Sequence, residues 1–256
     1  MTFPPPAPHA RRSRAALAVA LCVGAAAVLS GCAEEDPDAG TNGVGKLTAQ
    51  QIEAKAQSAA SAAKAVRLSG TLVSKGVSYK LNMRLKQDGA AGSVATRNSR
   101  FELLRIGDVL YMKAGAEFWR RAESTGEPTK EDVQAAEKLD GKYVKVPQDD
   151  PSYKLLRGFT EKNVLVSGLT TLHGETVKGD RDSIAGKRTI KVAGGPHGEG
   201  GTLDVSLEGT PYPMRFARGG GAGVVVLTDW DMDFALDPPA KDDTLDYGKQ
   251  LPRTSG

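Results

Sequence analysis

The chain has 256 residues, of which 39% are hydrophobic, 34 are Lys or Arg and 31 are Asp or Glu, with 5% aromatics and two cysteines. That composition belongs to a folded domain rather than a disordered chain. The near balance of charge excludes a strongly basic nucleic-acid-binding surface, and two cysteines are too few for a disulfide scaffold.

Arg11, Arg12 and Arg14 precede the apolar run Ala15 to Leu29, which leads into Ser30, Gly31 and Cys32. A charged start, a short apolar run and small residues make a secretory signal peptide. The run is 15 residues, shorter than the ~20 a membrane-spanning helix needs. Leu29-Ser30-Gly31-Cys32 resembles the bacterial lipobox. The resemblance implies cleavage before Cys32 and a diacylglycerol anchor on its sulfur, with the chain held on the outer face of the cytoplasmic membrane. Arg11-Arg12 leaves both the general and the twin-arginine export routes open. Removing residues 1–31 takes three of the 34 basic residues and no acidic one, so the remainder is formally neutral. It also removes Cys22, and with Cys32 given to lipid no disulfide is available.

Residues 32–46 hold almost nothing apolar and read as a flexible acidic tether. From Leu47 to the C-terminus the pattern is that of one domain. Thr48 and Gln51 form a capping box ahead of a helix that runs to Ala65, with Ile52, Ala56, Ala59 and Ala63 as its inner stripe. The period then changes to two. Val66–Ser74 and Val77–Gln87 make a hairpin in which Tyr79, Leu81, Met83 and Leu85 alternate with Lys80, Asn82, Arg84 and Lys86. Further strands are expected at 91–96, 101–106, 109–113 and 142–146, then at 164–168, 172–178, 187–192, 202–208, 214–218, 224–228 and 231–236. Two short helices interrupt them, one opened by Thr129 and Asp132 and stopped at Gly141, the other over 151–157 after the capping run Gln148-Asp149-Asp150. The fold class is α+β: one strongly curved antiparallel sheet, a half-barrel of about 10–11 strands, with helices on its concave face.

The order of parts resembles the actinobacterial LppX and LprG type of lipoproteins, which share the fold of the carrier LolA. It is carried by the lipobox, the tether, the Ala-rich helix, the turn in Ile106-Gly107-Asp108-Val109-Leu110-Tyr111, the strand start Ile184-Ala185-Gly186-Lys187-Arg188-Thr189, and the hairpin from Leu203 through Gly209-Thr210-Pro211 to Arg215. Glycine-rich stretches at 194–201 and 219–223 are longer than the family pattern. The resemblance implies a half-barrel enclosing an apolar cavity for an acylated lipid or glycolipid.

The alternating faces nominate Leu81, Met83, Leu85, Leu103, Tyr111, Leu203, Val205, Leu207 and Phe216 as the lining of such a cavity, and equally as a closed core. Alanines on the first helix and few aromatics leave room above the sheet. Burial of an acyl chain gains about 0.8 kcal/mol per methylene, so carriage needs no catalytic group. The mature chain has two histidines, His173 and His197, without metal-ligand spacing and without a free cysteine. Gly186-Lys187-Arg188-Thr189 lacks the first glycine of a phosphate loop, and no nucleophile elbow occurs. Asp229, Asp231 and Asp233 read as a solvated strand face, with calcium binding the alternative. Phe118-Trp119-Arg120-Arg121 reads as a strand end that tucks Trp119 into the core, with a membrane contact the alternative. The expectation is a monomeric, non-catalytic envelope lipoprotein with no cofactor, no metal and no nucleic-acid partner, binding a hydrophobic ligand or else a partner protein.

Overall fold

Thr48 opens the first helix with both bonds of its capping box: the Gln51 amide donates to Thr48 Oγ1 at 3.3 Å, and the Thr48 amide donates to Gln51 Oε1 at 3.1 Å. The computed structural model describes residues 37–123, 129–248 and Leu251; Cys32 and the rest of the leader lie outside them. The elements are α1 (Ala49–Ala62), β1 (Ala65–Ser74), β2 (Val77–Lys86), β3 (Gly89–Ala95), β4 (Arg100–Ile106), β5 (Val109–Ala114), α2 (Ala116–Glu123), α3 (Lys130–Leu139) and β6 (Tyr143–Lys145). They continue with α4 (Tyr153–Gly158), α5 (Lys162–Thr170), β7 (Thr176–Ile184), β8 (Lys187–Gly194), β9 (Thr202–Ser206), β10 (Pro213–Ala217), β11 (Gly223–Thr228) and β12 (Thr244–Asp246).

Among the described residues twelve strands form one unclosed, curved sheet in the order β12-β6-β5-β4-β3-β2-β1-β11-β10-β9-β8-β7. Every pairing is antiparallel except β12 with β6. The long pairing of β1 with β11 joins the two halves, and glycines let the strands coil there. Gly70 has φ 152°, and a Cβ on it would stand 2.2 Å from the Val224 carbonyl oxygen; on Gly223 (φ 123°) it would stand 2.1 Å from that of Thr71. No side chain fits either approach.

One face of the sheet is aliphatic, as the period of two requires. In β2, Leu81, Met83 and Leu85 are buried while Asn82 and Arg84 are exposed. α1 covers this face through Ala49, Ile52, Ala56 and Ala60, so the stripe continues on Ala60 where Ala59 was expected. Trp119 of α2 and Ala136 and Leu139 of α3 join the same core. Among the described residues no helix is long and apolar enough to cross a membrane.

Several expectations are corrected. Residues 164–168 are not a strand but part of α5, whose buried positions Lys162, Val166, Leu169 and Thr170 have helical spacing; packing against α1 overrides the β-branched run. The strand expected at 172–178 starts at Thr176, after a turn at Gly174 (φ 80°). Residues 231–236 form no strand, because Asp229 and Asp231 take positive φ (51° and 60°) and break the alternation. Trp119 is fully buried, as expected, but on a helix. Residues 37–46 are not free tether. The Asn42 amide donates to the Leu207 carbonyl at 2.8 Å, Arg188 donates to the carbonyls of Ala39 and Gly40, and Val44 is buried. Polar residues that looked unable to order themselves are held by backbone groups of a strand distant in sequence.

Candidate ligand-binding site

Eight of the nine residues nominated for a cavity, all but Tyr111, fall in one contiguous hydrophobic core. Ile52, Ala56 and Ala60 of α1 belong to the same core. Tyr111 points the other way. Its strand buries Leu110, Met112 and Ala114, which leaves Tyr111 half-buried on the outer face with its ring 6.4 Å from that of Tyr143.

Clefts open along the seams between helices and sheet. One of about 360 Å³ lies at the start of α2, with Phe101 and Phe118 in its wall beside the charged Arg100, Glu102, Lys113 and Asp140. Phe118 stands edge-on to both Phe101 (5.7 Å between centroids) and Trp119 (5.2 Å), so aromatic rings bridge the cleft to the core. Trp119 donates its Nε1 proton to the Ala114 carbonyl at 3.3 Å. A second cleft, of about 280 Å³, runs between α1 and α5, with Ala60, Ser61, Val166 and Thr170 among its walls.

Where β4 meets the helices the interior turns cationic. Phe101, Leu103 and Arg105 share the inner face of β4, and Arg105 is only 4% exposed. Its guanidinium donates to the carbonyls of Thr160 (3.4 Å from Nε, 3.1 Å from Nη2), Gly107 (2.8 Å) and Gln87 (3.4 Å). It thereby ties the β2–β3 turn, the β4–β5 turn and the α4–α5 link together. Lys162 is 2% exposed and donates to the carbonyls of Ala60 and Ser61, both at 3.1 Å, at the C-terminal end of α1. A cation there also suits the negative end of the helix dipole. Glu161 and Asp108 pair instead with Arg157 (2.7 and 3.6 Å), and among the described residues no carboxylate pairs with Arg105 or Lys162.

Burial lowers the Arg105 pKa, and the neighbouring Arg157 charge lowers it further. Burial likewise lowers that of Lys162, against a smaller opposing effect of Asp231. Hydrogen bonds to Glu161 and to the Tyr153 hydroxyl push Arg157 the other way. None of these cations was nominated from sequence. The available signal was parity: Arg105 sits at an inward position of an apolar strand, and Lys162 sits on the buried stripe of α5.

The aspartate cluster disperses. Asp229 faces Arg67 at 4.0 Å, and Asp233 pairs with Lys86 at 2.7 Å. Asp231 accepts from the Lys64 amide at 2.6 Å and from the Tyr212 hydroxyl, whose ring stacks on Trp230 at 4.6 Å. Burial, then the bond to Asp231, pushes the Tyr212 pKa up to about 12. Among the described residues no group of three His, Cys, Asp or Glu is placed to hold a metal ion. His173 and His197 are both exposed, His173 on a loop where its amide donates to the Gly200 carbonyl at 3.0 Å and His197 in a single 3-10 turn. The helix α4 is not capped by the run before it: its N-cap is Ser152 and no side chain caps it, while Asp150 accepts from the Ser152 amide and, through its other oxygen, from the Leu251 amide, both at 2.8 Å.

No family model and no curated protein matches this sequence. Solved structures do. LprF from Mycobacterium bovis superposes over 75% of this chain and 97% of its own, with a TM-score of 0.52 and 16% identity. An uncharacterised conserved protein from Thermus thermophilus aligns over 77% of this chain and 98% of its own, but with a TM-score of 0.37 and 9% identity, too loose to carry an argument. The likeness to LprF shows that the α+β half-barrel is the architecture this chain shares with that mycobacterial protein.

Proposed function

We propose that this chain is an envelope lipoprotein, anchored through Cys32 to the outer face of the cytoplasmic membrane, that binds or carries an acylated lipid between its helices and the concave face of its sheet. The observation that carries the reading is the construction of the seams. A continuous aliphatic sheet face is covered by a helix whose contacts are mostly alanines, and a cleft at the start of α2 has Phe101 and Phe118 in its wall. Small contacts bind a helix less strongly than large ones, so α1 can shift on the sheet at lower cost than α2, which Trp119 anchors, and expose a surface that only another apolar group satisfies. The half-barrel architecture and the lipobox support the same reading. Binding and release of this kind need no catalytic group.

One observation favours a second reading. The core is closed, while Leu155, Val164 and Met232 stand 61%, 59% and 60% exposed, a pattern that suits a partner protein docking on the outside.

Trp119 distinguishes the two. Trp119 and Trp230 are the chain's tryptophans, so Trp230→Phe leaves Trp119 as the sole reporter. Carriage gives saturable quenching of Trp119 by phospholipids with brominated acyl chains. Absence of quenching at saturating lipid refutes it and leaves the partner-binding reading.

A further inference from the structure

The corner where α4 passes to α5 holds a cleft of about 230 Å³ whose lining includes Arg105, Arg157 and Lys162 against one carboxylate, that of Glu161. Two of the three cations are buried and hydrogen-bond to main-chain carbonyls alone, while Glu161, Asp88 and Asp108 near Arg105 and Asp231 near Lys162 act on them only through space. Their bonding is also incomplete. Arg105 makes four hydrogen bonds, which leaves one of its N–H groups, and Lys162 makes two, which leaves one of its three. The side-chain amides of Gln87 and Asn163 line the same cleft and make no hydrogen bond among the described residues. α5 begins at this wall, and no side chain caps it. Its first amides therefore add donors and the positive end of a helix dipole to a cleft that is already cationic.

From this geometry we infer that the α4–α5 corner binds a phosphate-type anion, and that the anion is the headgroup of the acylated ligand. The inference rests on the proposed carriage of a lipid. A tetrahedral oxyanion accepts from several donors at once, and it supplies the full negative charge that the carbonyls around Arg105 and Lys162 lack. Asn163 also lines the cleft between α1 and α5, so the two spaces flank the first turn of α5. A headgroup held at the corner directs its chain along Ala60 and Val166 toward the concave face. Lys162 is the hinge of this arrangement, because the carbonyls it grips belong to Ala60 and Ser61, on the opposite wall of that groove. Val164 on α5 and Leu155 on α4, both well exposed, give the corner an apolar rim.

The test titrates the full chain in maltoside micelles with dihexanoylphosphatidylglycerol, dihexanoylglycerol and inorganic phosphate, reading the backbone amide shifts of Asn163 and Val164. The phosphatidylglycerol is expected to move both amides and to bind at least about tenfold more tightly than the uncharged diacylglycerol. Asn163→Asp and, separately, Gln87→Glu place a carboxylate against the anion on exposed positions that folding does not depend on. Each should cost about tenfold in phosphatidylglycerol affinity, and Gln87→Glu, which lies outside the α1–α5 cleft, should leave diacylglycerol affinity unchanged. Inorganic phosphate that shifts the same amides as strongly as the lipid supports the anion site but makes free phosphate its ligand. Equal binding of charged and uncharged lipid, unaffected by Asn163→Asp, overturns the headgroup inference while acyl carriage stands. Phosphate-dependent shifts without quenching of Trp119 by brominated chains overturn acyl carriage, and with it the headgroup assignment, and leave a site for a free anion.

Discussion

The middle of the concave face and the α4–α5 corner are both buried, yet they are held by opposite means. At the middle, Met83, Leu103 and Leu227 belong to one apolar core with Ile52 and the alanines of α1, and cohesion there comes from many small contacts with no directional requirement. At the corner, Arg105 and Lys162 hold four separate segments through six hydrogen bonds to main-chain carbonyls. The first region can give way piecemeal and close on a different apolar content. The second keeps its geometry or loses it whole, because each carbonyl released into a dry site leaves a polar group without a partner. A carrier needs both: a yielding surface for a chain of variable length and a fixed point that sets where it enters.

Substitutions can break either side of this contrast. Trp119→Ala removes the largest fully buried side chain and should cost about 3–5 kcal/mol in urea unfolding, with the variant binding apolar dyes that the parent excludes. Arg105→Met retains most of the volume but strands the carbonyls of Gln87, Gly107 and Thr160; a loss of about 2–3 kcal/mol is expected, appearing first as faster amide exchange in α4 and α5. A result near zero would mean that water already satisfies the corner.

Lys162 gives the smallest and most specific effect. Its folded pKa is depressed, so the unfolded chain binds its proton more readily than the folded one does. Stability from this group therefore rises with pH across the window between the depressed folded value and the ordinary lysine value of 10.5. The stability difference between the parent and Lys162→Met should move in favour of the parent over that window. A flat difference would show that Lys162 is solvated in the fold.

The contrast also explains what the sequence made legible. Strands β1 to β5 could be read because Leu81, Met83 and Leu85 alternate with polar residues, and the alternation survives folding since one face meets only core. The capping boxes at Thr48 and Thr129 are local chemistry and stand where they were expected. What could not be read depends on distant partners. Val164-Leu165-Val166 looks extended until α1 supplies an apolar face at helical spacing. Residues 37–46 look unstructured until the carbonyls of Ser206 and Leu207 receive Asn42. β12 is three residues long and exists only through β6. For the site, the apolar lining was legible as a face, but whether it encloses space or packs shut depends on helix placement, which no period encodes. The cationic corner draws on β4, α4 and α5, whose residues are up to 57 positions apart between Arg105 and Lys162.

The central claim is that an acylated molecule belongs between the helices and the sheet. Its most direct test is mass spectrometry of the chain from Pro37 onward, exported in its own envelope without Cys32, measured intact under native conditions and again after denaturation and lipid extraction. The account predicts a stoichiometric acyl lipid with a phosphate in its headgroup, absent from an unrelated domain exported alongside. A chain that emerges empty and takes up no lipid on reconstitution contradicts it.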